Sequence, residues 1–383
     1  MTQITVPAVF MRGGTSKAIM FDGRDLPADR SQWDALFIEV MGSPDEYGRQ
    51  LNGMGGGISS LSKVCIVTPS TREDADIDYT FAQVQIREAR VDYRGNCGNM
   101  SSAVGPFAID RGMVQGTGNS ATVRVFNTNT AKLIHATFPL RDGRPTYRGD
   151  LAIPGVSGTG APIRLDFISP GGATTGKLLP TGNAVDRIDV PNFGPVTASL
   201  VDAANACVFV AARDVGLTGR ELPDELDARP ETLRLLAELR VQASLAMGIG
   251  RTEAEARGIS SVPFVGFISP RAEAPTLTGR SVSADDIDLA ARVISNGQPH
   301  RALPLTISLC TAVAARIPGS VAALALSPET PPQGPIRLGM PSGVLTVEAD
   351  VALSSDGAWE ARSGSFYRTA RPLFSGAVHR PEA

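Results

Sequence analysis

The 383-residue chain has only three histidines (His135, His300, His379) and four cysteines (Cys65, Cys97, Cys207, Cys310), all far apart in the sequence. Without C-x-x-C spacing a disulfide framework or structural zinc site is excluded. The same scarcity leaves no metal cluster, so acid–base chemistry falls to lysine, cysteine or carboxylates. Reduced thiols fit a cytoplasmic protein. Aromatics are few, with 14 Phe, 5 Tyr and 2 Trp. No apolar run approaches the roughly 20 residues of a membrane span, and no signal peptide opens the chain. No sign of charge predominates: 36 Lys and Arg stand against 39 Asp and Glu, interspersed. Without a basic block or a basic-aromatic stripe, nucleic acid is not an expected partner.

What the chain has in quantity is glycine and proline, 40 and 28 residues. These argue for many turns and against a helical bundle, whose interiors they would weaken. An apolar fraction of 42%, spread evenly, excludes disorder. The length implies two or three domains.

Strand-like runs occupy Ile4–Phe10, Val64–Thr68, Tyr79–Gln85, Thr122–Thr128 and Lys132–Phe138, and later Val196–Val210, Val262–Ile268, Ile336–Leu338, Val344–Ala349 and Ser365–Phe374. Helices are expected over Ser31–Met41, Gly98–Arg111 (with a kink or early stop at Pro106), Glu231–Met247, Ala284–Ser295 and Pro304–Arg316. The Gly/Thr/Pro-rich stretch Gly155–Gly176 is a candidate domain boundary. SSAVGPFAI at Ser101–Ile109 aligns with CTAVAARI at Cys310–Ile317, an offset of 209 residues. Two equivalent α/β units would explain this, and so would chance similarity of alanine-rich helices.

Glycines cluster beside reactive side chains in MRGGTSK (Met11–Lys17), GMGGGISSLSK (Gly53–Lys63), RGNCGNMSSA (Arg94–Ala103), PTGN (Pro180–Asn183) and PSG (Pro341–Gly343). Cys97 stands where a helix should begin; free N–H groups and the helix dipole favour a thiolate there. Cys65 and Cys207, within apolar strands, read as core. Lys63, at the mouth of a strand, is either a desolvated base or an ordinary solvated lysine, and composition alone favours the latter. Gly53–Gly57 lacks the features of a nucleotide loop, but glycine-rich backbone with Ser and Thr hydroxyls suits carboxylates. His300 precedes a second helix start near Thr306, where a cap or core role is the simpler reading.

In order, MRGGTSK, GMGGGISSLSK, NCGN, PTGN and MPSG resemble the methylaconitate isomerase and oxalomesaconate tautomerase (PrpF-like) family of the diaminopimelate-epimerase superfamily. GSPD (Gly42–Asp45), DYTFAQV (Asp78–Val84) and RTARPLFSG (Arg368–Gly376) extend the resemblance along nearly the whole chain. It implies an α+β fold of two pseudo-symmetric epimerase-like domains, each a curved, mainly antiparallel sheet or barrel around a central helix. The expected domains are 1–183 with 366–383, and 184–365, with the active site in the cleft between them. The implied reaction is a proton shift (C=C migration or cis/trans isomerisation), without cofactor or metal, in an unsaturated di- or tricarboxylic acid such as 2-methylaconitate or 4-oxalomesaconate. The family's catalytic lysine and cysteine map onto Lys63 and Cys97, which overrides the solvated-lysine reading. Thr15, Ser16, Ser59, Ser60, Asn96, Gly98, Asn99, Thr306, Ser342 and Gly343 are the expected substrate contacts.

Two alternatives are an accessory protein to an aconitase-like dehydratase and a two-base amino-acid racemase. The offset pairs Cys97 with Thr306, with Cys310 one helical turn on, which argues against a racemase. No assembly signal is readable, and a homo-oligomer is compatible with the sequence.

Overall fold

The computed structural model describes residues 4–93, 96–259, 262–295 and 297–380. In chain order the first elements are β1 (Ile4–Gly13), β2 (Ser16–Asp22), α1 (Trp33–Met41), β3 (Lys63–Pro69) and β4 (Ile77–Val84). There follow α2 (Gly98–Asp110), β5 (Ser120–Asn127), β6 (Lys132–Arg141), β7 (Ile163–Ile168), β8 (Asp186–Val190), β9 (Gly194–Ala203) and β10 (Asn205–Ala211). Next come α3 (Pro230–Ala246), β11 (Phe264–Pro270), β12 (Leu289–Ser295), α4 (Leu305–Ala315) and α5 (Val321–Ala325). The chain closes with β13 (Pro335–Met340), β14 (Gly343–Leu353), β15 (Trp359–Arg368) and β16 (Ala370–Arg380). The fold is mixed α/β, built on mixed sheet.

The chain divides into two compact units, Met1–Phe167 with Tyr367–Ala383, and Ile168–Phe366. The division lies inside the Gly155–Gly176 stretch and ahead of the expected 183/184 boundary. Residues 170–178 belong with the second unit because their backbone is tied to β9: Gly172 N–H donates to Asp202 O, and Asp202 N–H donates to Leu178 O.

In the first unit the pairings run β16–β1 antiparallel, β1–β2 antiparallel, β2–β3 parallel, β3–β4 antiparallel, β4–β5 parallel, β5–β6 antiparallel and β6–β7 antiparallel. Helix α1 forms because Trp33, Leu36, Phe37 and Val40 share one face, and Gly42 stops it in a left-handed conformation (φ 74°). That face packs on Phe21, Val64 and Ile66, with Phe21 and Phe37 stacked at 5.8 Å between ring centres. Helix α2 is buried on all sides, and Gly105 explains how it fits: a Cβ there would lie 2.8 Å from Phe138. Pro106 does not end the helix, which continues to Asp110. Surrounding strands supply the packing that outweighs the lost backbone bond.

In the second unit the order is β8–β9 antiparallel, β9–β10 antiparallel, β10–β11 parallel, β11–β12 antiparallel, β12–β13 parallel, β13–β14 antiparallel and β14–β15 antiparallel. Leu236 and Leu239 of α3 pack on Val208, Val210 and Phe267, and α4 is the buried central helix.

Two expectations are corrected here. The run expected as one strand over Val196–Val210 is the β9–β10 hairpin, turning at Ala204 with φ 60°. The expected helix Ala284–Ser295 is a short turn at Ala284–Asp286 followed by strand β12. The side chains of β12 from Leu289 to Ile294 are all buried, and its backbone is held by β11 and β13, so sheet pairing prevails over the helix-favouring alanines.

Candidate functional site

The start of α2 and the β1–β2 hairpin meet at the centre of the first unit. Cys97 is the N-cap of α2, half-buried, and its carbonyl accepts from Ser101 N–H at 3.0 Å. Ser101 Oγ donates to Cys97 O at 3.2 Å and to Asn96 Oδ1 at 3.5 Å. Gly98 is buried as the first helical residue. The hairpin tip is pinned to the next residue: Asn99 Nδ2 donates to Thr15 Oγ1 at 3.0 Å, and Thr15 N–H donates to Asn99 Oδ1 at 3.4 Å. This approach requires glycine. A Cβ on Gly14 would fall 2.2 Å from Asn99 Oδ1, and Gly14 sits at φ 50°. Ser16 is buried opposite Gly13 in the hairpin register. Arg94 and Gly95, the start of the RGNCGN motif, lie outside the described residues.

Two arginines adjoin the tip. Arg12 Nη1 donates to Gly14 O at 2.9 Å and Thr369 O at 2.8 Å, and Arg368 Nε donates to Asn99 Oδ1 at 3.3 Å. Burial pulls the Arg368 guanidinium down to about 9. Neither arginine figured among the sequence candidates, although Arg12 lies in MRGGTSK and Arg368 opens RTARPLFSG.

Lys63 is the first residue of β3 and is 8% exposed, which overturns the solvated-loop reading. Its ammonium donates to Gln83 Oε1 at 2.6 Å and lies 4.8 Å from the centre of the Phe81 ring. Among the described residues it has no carboxylate partner. Gln83 is held in turn, its amide donating to Ser62 O at 2.8 Å and Ser59 O at 3.1 Å. Ser59 is exposed and Ser60 half-buried on this short turn. Cys65 and Tyr79 make a buried 3.6 Å contact, and burial pushes the Cys65 thiol up. Burial likewise raises Tyr79, with Cys65 and Cys97 as smaller contributors.

The glycine loop is not an open anion cradle. Gly53 N–H donates to Gln50 O, Met54 N–H to Val40 O, Gly55 N–H to Met41 O and Gly57 N–H to Gln50 Oε1. A Cβ on Gly53 would stand 2.2 Å from Gly42 N, so this glycine lets two backbone segments touch. Gln50, buried within the loop, also bonds Ser43 and Ser62, and organises the segment below Lys63.

Thr306, Ser342 and Gly343 belong to the second unit. Thr306 is on the first turn of α4, and its Oγ1 accepts from Asn205 Nδ2 at 2.7 Å. Ser342 occupies the β13–β14 turn with its Oγ buried and without a hydrogen-bond partner, next to Gly343 at φ 122°. Asn205 was not a sequence candidate; nothing in its local sequence marks it. Cys310 is fully buried, its thiol donating to Val201 O at 3.5 Å, and it neighbours the equally buried Cys207. Burial pulls His300 down, and its ring lies 6.3 Å from that of Phe264. No His/Cys/Asp/Glu group among the described residues could hold a metal ion, and no described helix is long and apolar enough to cross a membrane.

Comparison with known proteins gives this arrangement its class. A 3-methylitaconate isomerase of Eubacterium barkeri is 42% identical over 100% of this chain and 98% of its own. A 2-methyl-aconitate isomerase of Cupriavidus necator is 37% identical over 99% and 98%, and a (4E)-oxalomesaconate Delta-isomerase of Novosphingobium is 39% identical over 98% and 97%. The crystal structure of a methylitaconate-delta-isomerase superposes with a TM-score of 0.91 at 41% identity, covering 99% of this chain and 96% of that one. A hydroxyproline epimerase from Agrobacterium vitis, 14% identical with a TM-score of 0.52 over 99% and 93%, shares the fold. The protein is an isomerase on an epimerase-like fold. The chain belongs to the PrpF protein family, which matches residues 3–381.

Proposed function

We propose that this isomerase shifts a proton between carbons of an unsaturated di- or tricarboxylic acid and so transposes its C=C bond, with Lys63 as the base and Cys97 in the site. The observation that carries this reading is Lys63 itself: buried, without a carboxylate partner among the described residues, and held by Gln83 and Phe81. The neutral amine takes an allylic proton, and the C–H electrons pass into a dienolate delocalised over the carboxylate or ketone. Lys63 or Cys97 then returns a proton to the far carbon, so the reaction is redox-neutral. The first N–H groups of α2, with Thr15, Ser16, Asn96, Gly98 and Asn99, face the developing anion in this scheme, since such donors act most strongly where charge develops. Ser59 and Ser60 border the lysine.

The identical succession of strand pairings in the two units, with α2 and α4 in the same slot, supports reading them as pseudo-symmetric repeats. A two-thiol racemase is disfavoured because Cys310 is buried against Val201.

The test is incubation of purified protein with 3-methylitaconate, 2-methylaconitate and 4-oxalomesaconate in deuterium oxide, followed by NMR. Migration of the double bond in at least one acid, with deuterium appearing at the new C–H, is the expected result. Failure with all three, while Lys63→Met and Cys97→Ala variants retain biological function, would favour the accessory-protein reading.

A further inference from the structure

The sheet of the second unit ends in an open edge. Strand β8 pairs with β9 and with no other strand among the described residues. Opposite its Asp189 stands Pro195, which has no N–H, so the bonded pairs of this hairpin fall at Ile188 and Val190. The N–H and C=O groups of Arg187 and Asp189 therefore point away from β9. Such an edge is a template for another strand. Ile188 and Val190 are buried in the core with Leu236 and Leu239 of α3, while Arg187 and Asp189 are exposed on the other face. Neither charge has an ion-pair partner among the described residues.

This edge is complementary to itself. In an antiparallel pair of two copies related by a two-fold axis through Ile188, Arg187 of one copy stands opposite Asp189 of the other, and Asp189 opposite Arg187. Both residues turn their N–H and C=O outward, so each pair can exchange two main-chain bonds, and each joins opposite charges. Asp186 adds no unmatched charge: Thr181 Oγ1 donates to its Oδ2 at 2.7 Å and Asn183 Nδ2 to its Oδ1 at 2.8 Å. The PTGN motif, for which the proposed reaction has no use, thus fixes the start of the edge. The same register carries the Pro191–Phe193 turn of the second copy past Asn183 and Val185. Phe193 is 40% exposed and Val185 39%; they flank β8 at opposite ends, and the two-fold brings unlike ends together. Val185 also lines a cavity of about 430 Å³ with Leu217, Ile268, Val321 and Leu324, a place for an apolar side chain to lodge.

We infer that β8 is the docking edge for a second copy of this chain, joined antiparallel about Ile188 so that the sheets of two second units run on as one. The interface is isologous, because the same strand serves both sides. A strand of uniform charge from another protein fits it less well, since either Arg187 or Asp189 would meet its like. A five-residue strand alone is small against the roughly 1,000 Å² that a stable interface covers, so the Phe193 and Val185 contacts and the cavity beside them complete it. The interface is independent of the reaction proposed above.

Sedimentation velocity and light scattering on the full chain read the assembly. The wild type should have a mass that is an even multiple of the 40.1 kDa chain. Arg187→Asp and Asp189→Arg each turn two attractive pairs into two repulsive ones. Each should weaken self-association about a hundredfold and so halve the mass at micromolar concentration. Both residues are exposed, so circular dichroism should show each variant folded. The double variant Arg187→Asp/Asp189→Arg restores both pairs with the signs exchanged and should recover the wild-type mass. The two single variants, mixed, should form a joint assembly of wild-type mass, which no structural defect confined to one chain reproduces. A monomeric wild type overturns the proposal, as does an assembly whose mass neither reversal changes. Dissociation of both single variants with no recovery in the double variant or the mixture overturns the pairing about Ile188, and with it the two-fold interface.

Discussion

Replacing Lys63 with Met separates the base's chemistry from its packing. Met is of similar length and keeps the apolar contacts of the stem. It removes a charge-assisted bond to Gln83, worth about 1.5–3 kcal/mol, and an ammonium–ring contact with Phe81, worth about 0.5–1 kcal/mol. Against that loss, the variant no longer buries an ammonium without a counter-charge. The two effects oppose, so net stability should move by no more than about 2 kcal/mol, and the fold should survive. Turnover should behave differently. Loss of a positioned base costs up to about 10⁴-fold, and 10³–10⁴-fold corresponds to about 4–5 kcal/mol of barrier. The assay is double-bond migration by NMR beside a thermal melt of the same preparation. A folded Lys63→Met protein with more than a tenth of wild-type kcat refutes the assignment of Lys63 as base. A second variant, Gln83→Leu, should lower kcat less, because it removes the group that aims the amine and leaves the amine in place.

Gly14→Ala should lower both Tm and turnover, since its Cβ would collide with Asn99 Oδ1 at a positive φ; an unchanged melt would show that the tip can shift freely. Gly105→Val forces branched carbon into the contact with Phe138 and Ala136 and should cost about 1–3 kcal/mol, read from denaturant midpoints. Acid should weaken the fold through Asp22, Asp76 and Asp288. Burial would raise each of these carboxyls, but hydrogen bonds and charge from Arg24 and Arg111, Arg124, and Arg337 respectively outweigh it and hold each below its ordinary value. Carboxyls depressed in the folded state contribute fully above the unfolded pKa of about 4 and lose that contribution as pH falls through the folded value. Tm should therefore drop between pH 5 and 3, and Asp288→Asn should flatten that drop.

Periodicity located α1 and α3, because each carries a helical apolar pattern with a recognisable start or stop, whereas α2 was marked by its run of small residues. It failed at Leu289–Ile294, where every side chain is buried and no alternation survives to distinguish strand from helix. Strand β2, with six of its seven residues buried, left no alternation either. At the candidate site the motifs drew attention to Lys63 and Cys97, but residue type could not reveal that Lys63 is enclosed by Gln83 and Phe81, both on the neighbouring strand β4. Gln50 shows the converse limit. The glycines beside it suggested exposed N–H groups, whereas Gln50 engages those of Gly53 and Gly57, and the end of α1 takes those of Met54 and Gly55. Asn205 and Arg368 bond partners about a hundred or more residues distant, which no local pattern encodes.

The pairing of β16 with β1 also bears on how the molecule is made. Ile4 pairs with Arg380 and Gly13 with Ala370, so the first unit cannot complete its sheet until almost the whole chain has been synthesised. The second unit is a continuous stretch and carries no such delay. A growing chain, which normally folds from its N-terminus, should here consolidate its middle first and hold the edge of β1 open until last. During that interval the unpaired edge is a surface for wrong partners, and Pro7, within β1, removes one of the donors that a stray strand would need.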